Sequence, residues 1–225
     1  MKSYFGFIFL YFALSLLSCQ DTKDDVKGPH ADYEFYKTIG EQIPFETGMR
    51  WIEAHRANNR DGRVAGLQCK IAASQLVTLM QSVPNLTGIA FHYGEDGEGN
   101  THILVIPMDE SLSVWSTFPG KIIVDANTST EISQSTAEAW AQSYKISHPF
   151  GIWFHFFGRN IFDEIVAIPY FSNLDIQPAL NDVNLLPQML LIVWNADITA
   201  GGRTSEESGT VYDASNPCPP CPPLN

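Results

Sequence analysis

The sequence predicts an α+β protein built from two tandem helix-helix-β-hairpin units of about 90 residues, with approximate internal two-fold symmetry. The first observation is a weak repeat at an offset of 89 residues, which carries Ile43, Thr47 and Trp51 onto Ile132, Thr136 and Trp140. The second is a matching succession of helix-like and strand-like apolar patterns in the two halves. Duplication explains both observations, and chance similarity between two α/β segments is the alternative.

The first unit is predicted to begin with two helices. Residues 43–56 place apolar side chains at helical spacing, and residues 69–81 form a second apolar stretch of helical length. A hairpin should follow, with strands over residues 89–93 and 101–107 on either side of a glycine-rich acidic turn. A short strand over residues 121–125 would complete the unit.

The second unit repeats this plan. Residues 133–145 and 159–168 are predicted as helices, and Ser133 is expected to cap the first because its hydroxyl can accept from an otherwise unpaired backbone N–H. The continuous apolar run of residues 188–194 is typical of a central strand covered on both faces. Residues 210–213 would form the last short strand. At offset 89, Lys70 of the first unit corresponds to Arg159 of the second.

Each predicted unit leaves one face of its sheet uncovered. Pairing the units buries that face, either in one continuous sheet with the helices on one side or in two α/β layers packed face to face. A groove is expected at the seam.

The N-terminus has the three-part form of a secretory signal, with Lys2 followed by an apolar run over residues 5–17. That run is shorter than the roughly 20 residues a membrane-spanning helix needs. It ends in Leu16-Leu17-Ser18-Cys19, which resembles the lipobox of bacterial lipoproteins. The resemblance implies cleavage before Cys19 and acyl chains such as palmitate on that residue, which together would hold the protein firmly on a membrane. No cofactor is expected besides this covalent lipid.

The residues after Cys19 bear on which membrane carries the protein. Gln20 stands where an aspartate favours retention in the inner membrane, and Lys23-Asp24-Asp25 resembles the short acidic export signal of lipoproteins in Bacteroidota. These features favour a lipid-anchored outer-membrane protein exposed at the cell surface. A plain solvated linker is the alternative interpretation of the acidic cluster, which leaves the periplasmic side open.

These observations divide the chain into five segments. They are a lipoprotein signal peptide (1–18), the acylated cysteine with a flexible tether (19–37), α/β repeat 1 (38–127), α/β repeat 2 (128–216) and a Pro/Cys-rich tail (217–225). The hydrophobic content of 44% indicates globular units with a packed core. A net charge of −12 repels phosphate backbones, so nucleic acid is excluded as a partner.

His155 and Arg159 are the candidate catalytic residues. Four residues apart, they would share one face of a helix and offer a general base beside an anion-binding group. The alternative places His155 at the edge of a strand or helix and pairs Arg159 with Asp163, one turn further on.

His92, His102 and Glu95 are the candidate metal ligands. The two histidines flank the predicted hairpin turn, and two imidazoles with a carboxylate are a suitable set for a metal ion. The alternation of the hairpin leaves the face of each histidine open, so solvent exposure without a metal is the preferred interpretation.

Cys218 and Cys221 form a Cys-Pro-Pro-Cys pair with dithiol spacing near the C-terminus. A disulfide is the favoured interpretation, with a redox pair as the alternative, since no helix follows to stabilise a thiolate. Zinc is disfavoured because no second pair of ligands is evident. Cys69 is interpreted as a small buried hydrophobic residue.

Three short motifs in the body of the chain resemble those of other proteins. The Thr-to-Trp spacing at the two first helices, His155-Phe156-Phe157-Gly158-Arg159 and the Pro-Cys-Pro-Pro ending resemble small α/β proteins of Bacteroidota, a group that brings no activity with it. The function expected is a binding module of the cell envelope, with another envelope protein or an extracellular ligand as partner. The alternative is an envelope-anchored enzyme using His155 and Arg159. An enzyme should place these two residues in a polar pocket, whereas a binding module should expose an apolar patch.

Overall fold

A computed structural model of the chain describes residues 33–58, 69–194 and 209–213, together with the backbone of residues 216–218. The chain divides into two units, Met1–Ala31 and Asp32–Asn225, and every described residue belongs to the second. Its helices within the described ranges are α1 (Tyr33–Tyr36), α2 (Phe45–Asn58), α3 (Ala73–Gln81), α4 (Gln134–Ser147) and α5 (Arg159–Ala167). Its strands are β1 (Glu41–Ile43), β2 (Cys69–Ala72), β3 (Gly88–Glu95), β4 (Thr101–Met108), β5 (Ile123–Asp125), β6 (Thr130–Ile132), β7 (Phe154–Gly158), β8 (Asn173–Leu180), β9 (Pro187–Trp194), β10 (Gly209–Asp213) and β11 (Asn216–Cys218).

The strands form two antiparallel sheets, so the predicted α+β class is confirmed. One sheet has the order β1-β10-β9-β8-β2, and the other has the order β11-β7-β3-β4-β5-β6. We call them sheet A and sheet B. All neighbouring strands run antiparallel, including β3 and β4, which form the predicted hairpin.

The order of elements occurs twice along the chain. The succession β1-α2-β2-α3-β3-β4-β5 is followed by β6-α4-β7-α5-β8-β9-β10, which has the same order of helices and strands. Sheet A takes β8, β9 and β10 from the second half and β1 and β2 from the first, whereas sheet B takes β3, β4 and β5 from the first half and β6 and β7 from the second, with β11 added at its edge. Residues 38–127 and 128–216 are therefore interleaved in the sheets, and each contributes strands to both.

The main hydrophobic core lies between the sheets. It contains Phe91 and Val105 from sheet B, Ile176 and Leu191 from sheet A, and the inner faces of α3 and α5. A second cluster packs Trp51 of α2 against the opposite face of sheet A. Both sheets contribute to one core. This agrees with two layers packed face to face, and not with the alternative of one continuous sheet.

Several predicted elements are found close to their expected bounds. Ser133 caps α4, since its hydroxyl accepts a hydrogen bond from the backbone N–H of Thr136 at 3.1 Å. β9 lies in the middle of sheet A, and its interior residues 188–193 are buried, as its continuous apolar run predicts. The hairpin strands extend the predicted ranges by one or two residues at their ends.

The predicted helix over residues 69–81 is wrong in its first four residues. Cys69–Ala72 forms β2, which pairs with β8, and the helix begins only at Ala73. Burial alternates along this strand, with Cys69 and Ile71 inside the core, which is the two-residue period of a sheet. The offset of 89 fails here as well, because Lys70 lies in a strand whereas Arg159 begins α5.

The predicted tether, residues 19–37, is too long at its C-terminal end. Residues 33–36 form helix α1, and Tyr36 is buried with its ring edge-on to Phe156 at 6.1 Å between centroids. Packing of this aromatic side chain fixes residues 33–37 to the folded body. The remainder of the tether and the signal segment lie outside the described residues.

Candidate functional site

A change from strand to helix separates His155 from Arg159. His155 lies within β7, which ends at Gly158, and Arg159 is the first residue of α5. The backbone approaches Lys37 so closely at this turn that a Cβ atom on Gly158 would lie 2.5 Å from the Lys37 carbonyl oxygen. The predicted shared helix face is therefore wrong, since only one of the two residues is helical.

His155 is buried in the protein interior. Its side chain has no exposed surface, and its ring meets the ring of Tyr93 edge-on at 6.1 Å. Neither ring nitrogen has a hydrogen-bond partner among the described residues. Burial lowers the pKa of His155 to about 3, so the imidazole is neutral at physiological pH. In this position it has no access to a substrate.

Arg159 is exposed and pairs with Asp163. Its Nε donates a hydrogen bond to Asp163 Oδ2 at 3.2 Å, across one turn of α5. The predicted pairing of Arg159 with Asp163 is thus confirmed. A solvent-exposed pair of this kind contributes about 0–1 kcal/mol to stability.

His92 is held among aromatic rings. It stacks on Phe154 at 5.5 Å and lies 5.7 Å from the ring of Trp115, with 1% of its surface exposed. Its Nδ1–H donates to the backbone carbonyl of Tyr93 at 2.6 Å. Burial is the main cause that lowers the pKa of His92 to about 4. The predicted solvent exposure is wrong for His92.

His102 bridges two carboxylates. Its Nε2 lies 3.2 Å from Asp96 Oδ2 and its Nδ1 lies 3.1 Å from Asp125 Oδ2. The ring stacks on Trp140 of α4 at 4.2 Å. Ionised carboxylates only accept hydrogen bonds, so both contacts form together when each ring nitrogen carries a proton. We call His102, Asp96 and Asp125 the His102 bridge.

The hairpin turn is organised by Asp96. Its Oδ1 accepts from the backbone N–H groups of Glu98 and Asn100, both at 2.9 Å, and its Oδ2 accepts from the Asn100 side chain at 2.8 Å. Hydrogen bonds from the Asn100 side chain are the main cause that holds the pKa of Asp96 well below its usual range. These contacts explain the acidic, glycine-rich turn as a self-contained loop.

The predicted metal ligands lie in three different environments. Glu95 accepts a hydrogen bond from Ser147 at 2.9 Å, while His92 is enclosed by aromatic rings and His102 is bound to Asp96 and Asp125. Within the described ranges, no group of three or more His, Cys, Asp or Glu residues is placed to hold a metal ion.

Asp125 is the buried centre of a polar network that the sequence interpretation missed. It is 1% exposed and accepts hydrogen bonds from the Asn127 backbone at 3.1 Å and from Thr128 Oγ1 at 2.8 Å. Asn127 Oδ1 in turn accepts from the backbone N–H of Ile103 and from the Cys69 thiol. A polar run directly after the apolar strand β5 was the available signal for this network.

We expect the Cys69 thiol to be unreactive in the folded protein. It is 1% exposed, donates to Asn127 Oδ1 at 3.2 Å, and burial raises its pKa to about 12. The thiolate is the reactive form of cysteine, so a maleimide at pH 8 should modify Cys69 only after unfolding. Peptide mass mapping distinguishes Cys69 from the other cysteines. Rapid labelling of Cys69 in the native protein would contradict this burial, and Asn127→Ala is expected to accelerate labelling.

A groove lies between α3 and α5. It encloses a cavity of about 300 Å³ lined by Val77 and Met80 of α3, Val166 and Arg159 of α5, and the buried Val83 and Leu86. His155 is absent from its lining. Arg159 therefore lies in a concave setting of mixed polar and apolar side chains, without the candidate general base.

The loop between β8 and β9 exposes three aliphatic side chains. Val183, Leu185 and Leu186 are 86%, 66% and 50% exposed. The loop is nevertheless held by its own polar groups, since Asn181 Oδ1 accepts from the backbone N–H of Val183 at 2.9 Å and Asn184 Oδ1 from that of Leu186 at 3.0 Å. We call residues 181–186 the apolar loop.

Helix α2 fixes the base of the apolar loop. Asp182 accepts hydrogen bonds from Trp51 Nε1 at 2.8 Å and from Arg50 Nε. The Arg50 contact is the main cause that lowers the pKa of Asp182. Leu185 has a φ of 59°, a left-handed backbone conformation that a leucine retains only where its surroundings impose it. The loop thus presents its aliphatic groups in a defined arrangement.

The cysteine predictions near the termini lie largely outside the described residues. Cys19 and Cys221 are in this category, and for Cys218 only the backbone is described, as the last residue of β11 paired with Phe154. The predicted disulfide therefore stays a prediction.

Comparison with known proteins adds no relative. No family model matches the chain, and no match was found among curated proteins or solved structures. Among the described helices, none is long and apolar enough to cross a membrane.

Proposed function

We propose that the chain is a lipid-anchored outer-membrane protein that acts as a binding module, with another protein of the cell envelope as its partner. The lipobox at Leu16 to Cys19 supports the anchor, and the acidic residues after Cys19 support display at the cell surface. The apolar loop is the observation that carries the binding function.

The apolar loop has two properties of a protein-binding surface. Its three exposed aliphatic side chains lie within four residues of sequence, and isolated exposed apolar residues are common whereas clusters mark contact sites. The hydrogen bonds of Asn181, Asn184 and Asp182 fix its conformation before a partner binds. Ordering a flexible loop on binding costs free energy, so this preorganisation favours affinity.

The proposal includes an origin of the body by tandem duplication with approximate two-fold symmetry. The repeated order of elements and the reciprocal exchange of strands between the sheets support it. α2 contacts β8 of the second half, and α4 contacts β3 of the first, in equivalent positions of the element order. The apolar loop and the Asp96 turn then occupy equivalent hairpins, and only the former exposes aliphatic side chains.

Site-specific photocrosslinking in cells that produce the protein tests the binding function. A photoreactive residue at Val183 should give a defined protein adduct, whereas one at the exposed Glu53 on α2 should not. Leu185→Asp should remove the Val183 adduct while leaving the unfolding transition unchanged, because the Leu185 side chain is solvent-exposed. Equal adducts from both positions, or adducts with lipid alone, would contradict a protein-binding loop.

Replacement of Cys19 tests the anchor separately. Cys19→Ala should move the protein from the membrane fraction to the soluble fraction, because acyl chains on this residue are proposed to supply its membrane affinity. Intact-mass measurement should find lipid on the protein that retains Cys19 and none on the Cys19→Ala variant. Cys218→Ala serves as a cysteine control and should stay with the membrane. Retention of Cys19→Ala in the membrane fraction would refute the lipid anchor.

A further inference from the structure

The groove between α3 and α5 combines apolar and polar side chains with a single cation. Val77 and Val166 line it and are 38% and 37% exposed, while Val83 and Leu86 are buried at 5% and 4%. Two uncharged amides, Gln81 and Asn85, complete the set around Arg159. Arg159 is the one charged residue among the described residues that line the cavity.

The guanidinium of Arg159 retains donor capacity for a ligand. Its contact with Asp163 uses Nε, and the side chains of the pair are 47% and 53% exposed. An exposed pair of this kind is weak, about 0–1 kcal/mol, so exchange of partners costs little. Guanidinium groups bind carboxylates with two parallel hydrogen bonds, which gives an anionic ligand an advantage over water.

The net charge of the chain makes this location selective. With a net charge of −12 the protein as a whole repels anions, whereas Arg159 offers a local positive charge beside apolar side chains. A ligand that gains from both features needs an anionic group attached to an apolar chain. The cavity of about 300 Å³ lies at the lower end of the range for small-molecule sites, about 300–1,000 Å³, and so favours a single short chain over a two-chain lipid.

We propose that the α3–α5 groove binds an unbranched aliphatic carboxylate, with the carboxylate on Arg159 and the alkyl chain along Val77, Met80 and Val166. The buried Val83 and Leu86 close the groove beneath the chain. This site is separate from the apolar loop, and it requires neither the lipid anchor nor a protein partner.

Titration with decanoate below its micelle-forming concentration tests the groove. Calorimetry on the full chain should give saturable binding with one site per molecule. Methyl NMR signals of Val77 and Val166 should shift during the titration, whereas those of Val183 in the apolar loop should stay unchanged. Binding that does not saturate, or shifts spread evenly over both regions, would overturn the proposal.

Two substitutions separate the charged and apolar contributions. Arg159→Gln should weaken decanoate binding about tenfold, because it removes a charge-assisted contact, and should leave binding of decanol unchanged. Val166→Glu should weaken both ligands, while the matched control Val183→Glu, at an exposed valine outside the groove, should affect neither. Thermal unfolding of each variant establishes that it folds. Unchanged decanoate affinity in Arg159→Gln, or loss of binding in Val183→Glu, would place the site elsewhere and refute the assignment.

Discussion

The free energy of unfolding is expected to fall steeply as the pH is lowered below 6.5, and His155→Phe should remove a large part of that loss. A histidine in the unfolded chain binds a proton below about pH 6.5. His155 in the folded protein, whose pKa burial lowers to about 3, does so only under much more acidic conditions. The unfolded state therefore binds more protons between these pH values, and lowering the pH through them destabilises the folded state.

The expected magnitude follows from proton linkage. One histidine contributes up to about 1.4 kcal/mol per pH unit within this window, and only half of that at pH 6.5 itself, so His155 should account for about 2 kcal/mol of lost stability between pH 6.5 and pH 4.5. His92, with a pKa lowered to about 4, should act in the same direction. The phenylalanine side chain introduced by His155→Phe does not titrate and retains a ring to pack against Tyr93, so the unfolding free energy of the variant should depend less on pH.

Urea unfolding monitored by tryptophan fluorescence at several pH values measures this difference. Phe157→Leu is the matched control, since Phe157 is a fully buried neighbour in β7 without a titratable group. It should lower stability by a similar amount at every pH. If the unfolding free energies of His155→Phe and of the protein with His155 depended on pH in the same way, His155 would be hydrated and would titrate normally in the folded state.

Loss of Asp125 is expected to destabilise the protein by about 3 kcal/mol, because each buried donor left without its acceptor costs about 1–3 kcal/mol. Asp125 is 1% exposed, and its carboxylate accepts from His102, Thr128 and the Asn127 backbone. Asp125→Ala would leave these donors without their acceptor. His102, whose side chain is only 12% exposed, could regain little solvation.

Chemical denaturation at neutral pH measures the loss. Asp96→Ala should cost less than Asp125→Ala, because Asp96 lies at the solvent-accessible end of the His102 bridge. Asp163→Ala, which removes the exposed partner of Arg159, should change stability by no more than about 1 kcal/mol. Equal losses of unfolding free energy in the three variants would contradict a larger stabilising contribution from the buried Asp125.

The success of the sequence predictions depended on local signals. The β3–β4 hairpin was predictable because two apolar runs flank a glycine-rich turn, and α4 because Ser133 is a good cap. β8 gave no such signal, since Asp175, Gln177 and Pro178 interrupt its apolar pattern. Trp194 Nε1 donates to Asp175 at 2.9 Å, a partner from a neighbouring strand that local pattern cannot reveal.

The candidate site was harder to predict for the same reason. His155 and Arg159 looked adjacent because a helix was assumed to include both, but β7 ends between them. His102 contacts Asp125, which is 23 residues away and was not singled out in sequence. The exposed side chains of the apolar loop are ordinary hydrophobic residues in the sequence, and only their exposure in the structure distinguishes them.

The exchange of strands between the halves has a consequence for biosynthesis. β1 pairs with β10, which brings Glu41 opposite Asp213, and β2 pairs with β8. Both edge strands of sheet A therefore pair with strands that are synthesised much later. A chain that emerges from a ribosome or a secretion pore N-terminus first therefore remains open until most of its length is free. Such distant pairings slow folding. The same dependence would keep both edges of sheet A unpaired until the second half of the chain has been synthesised.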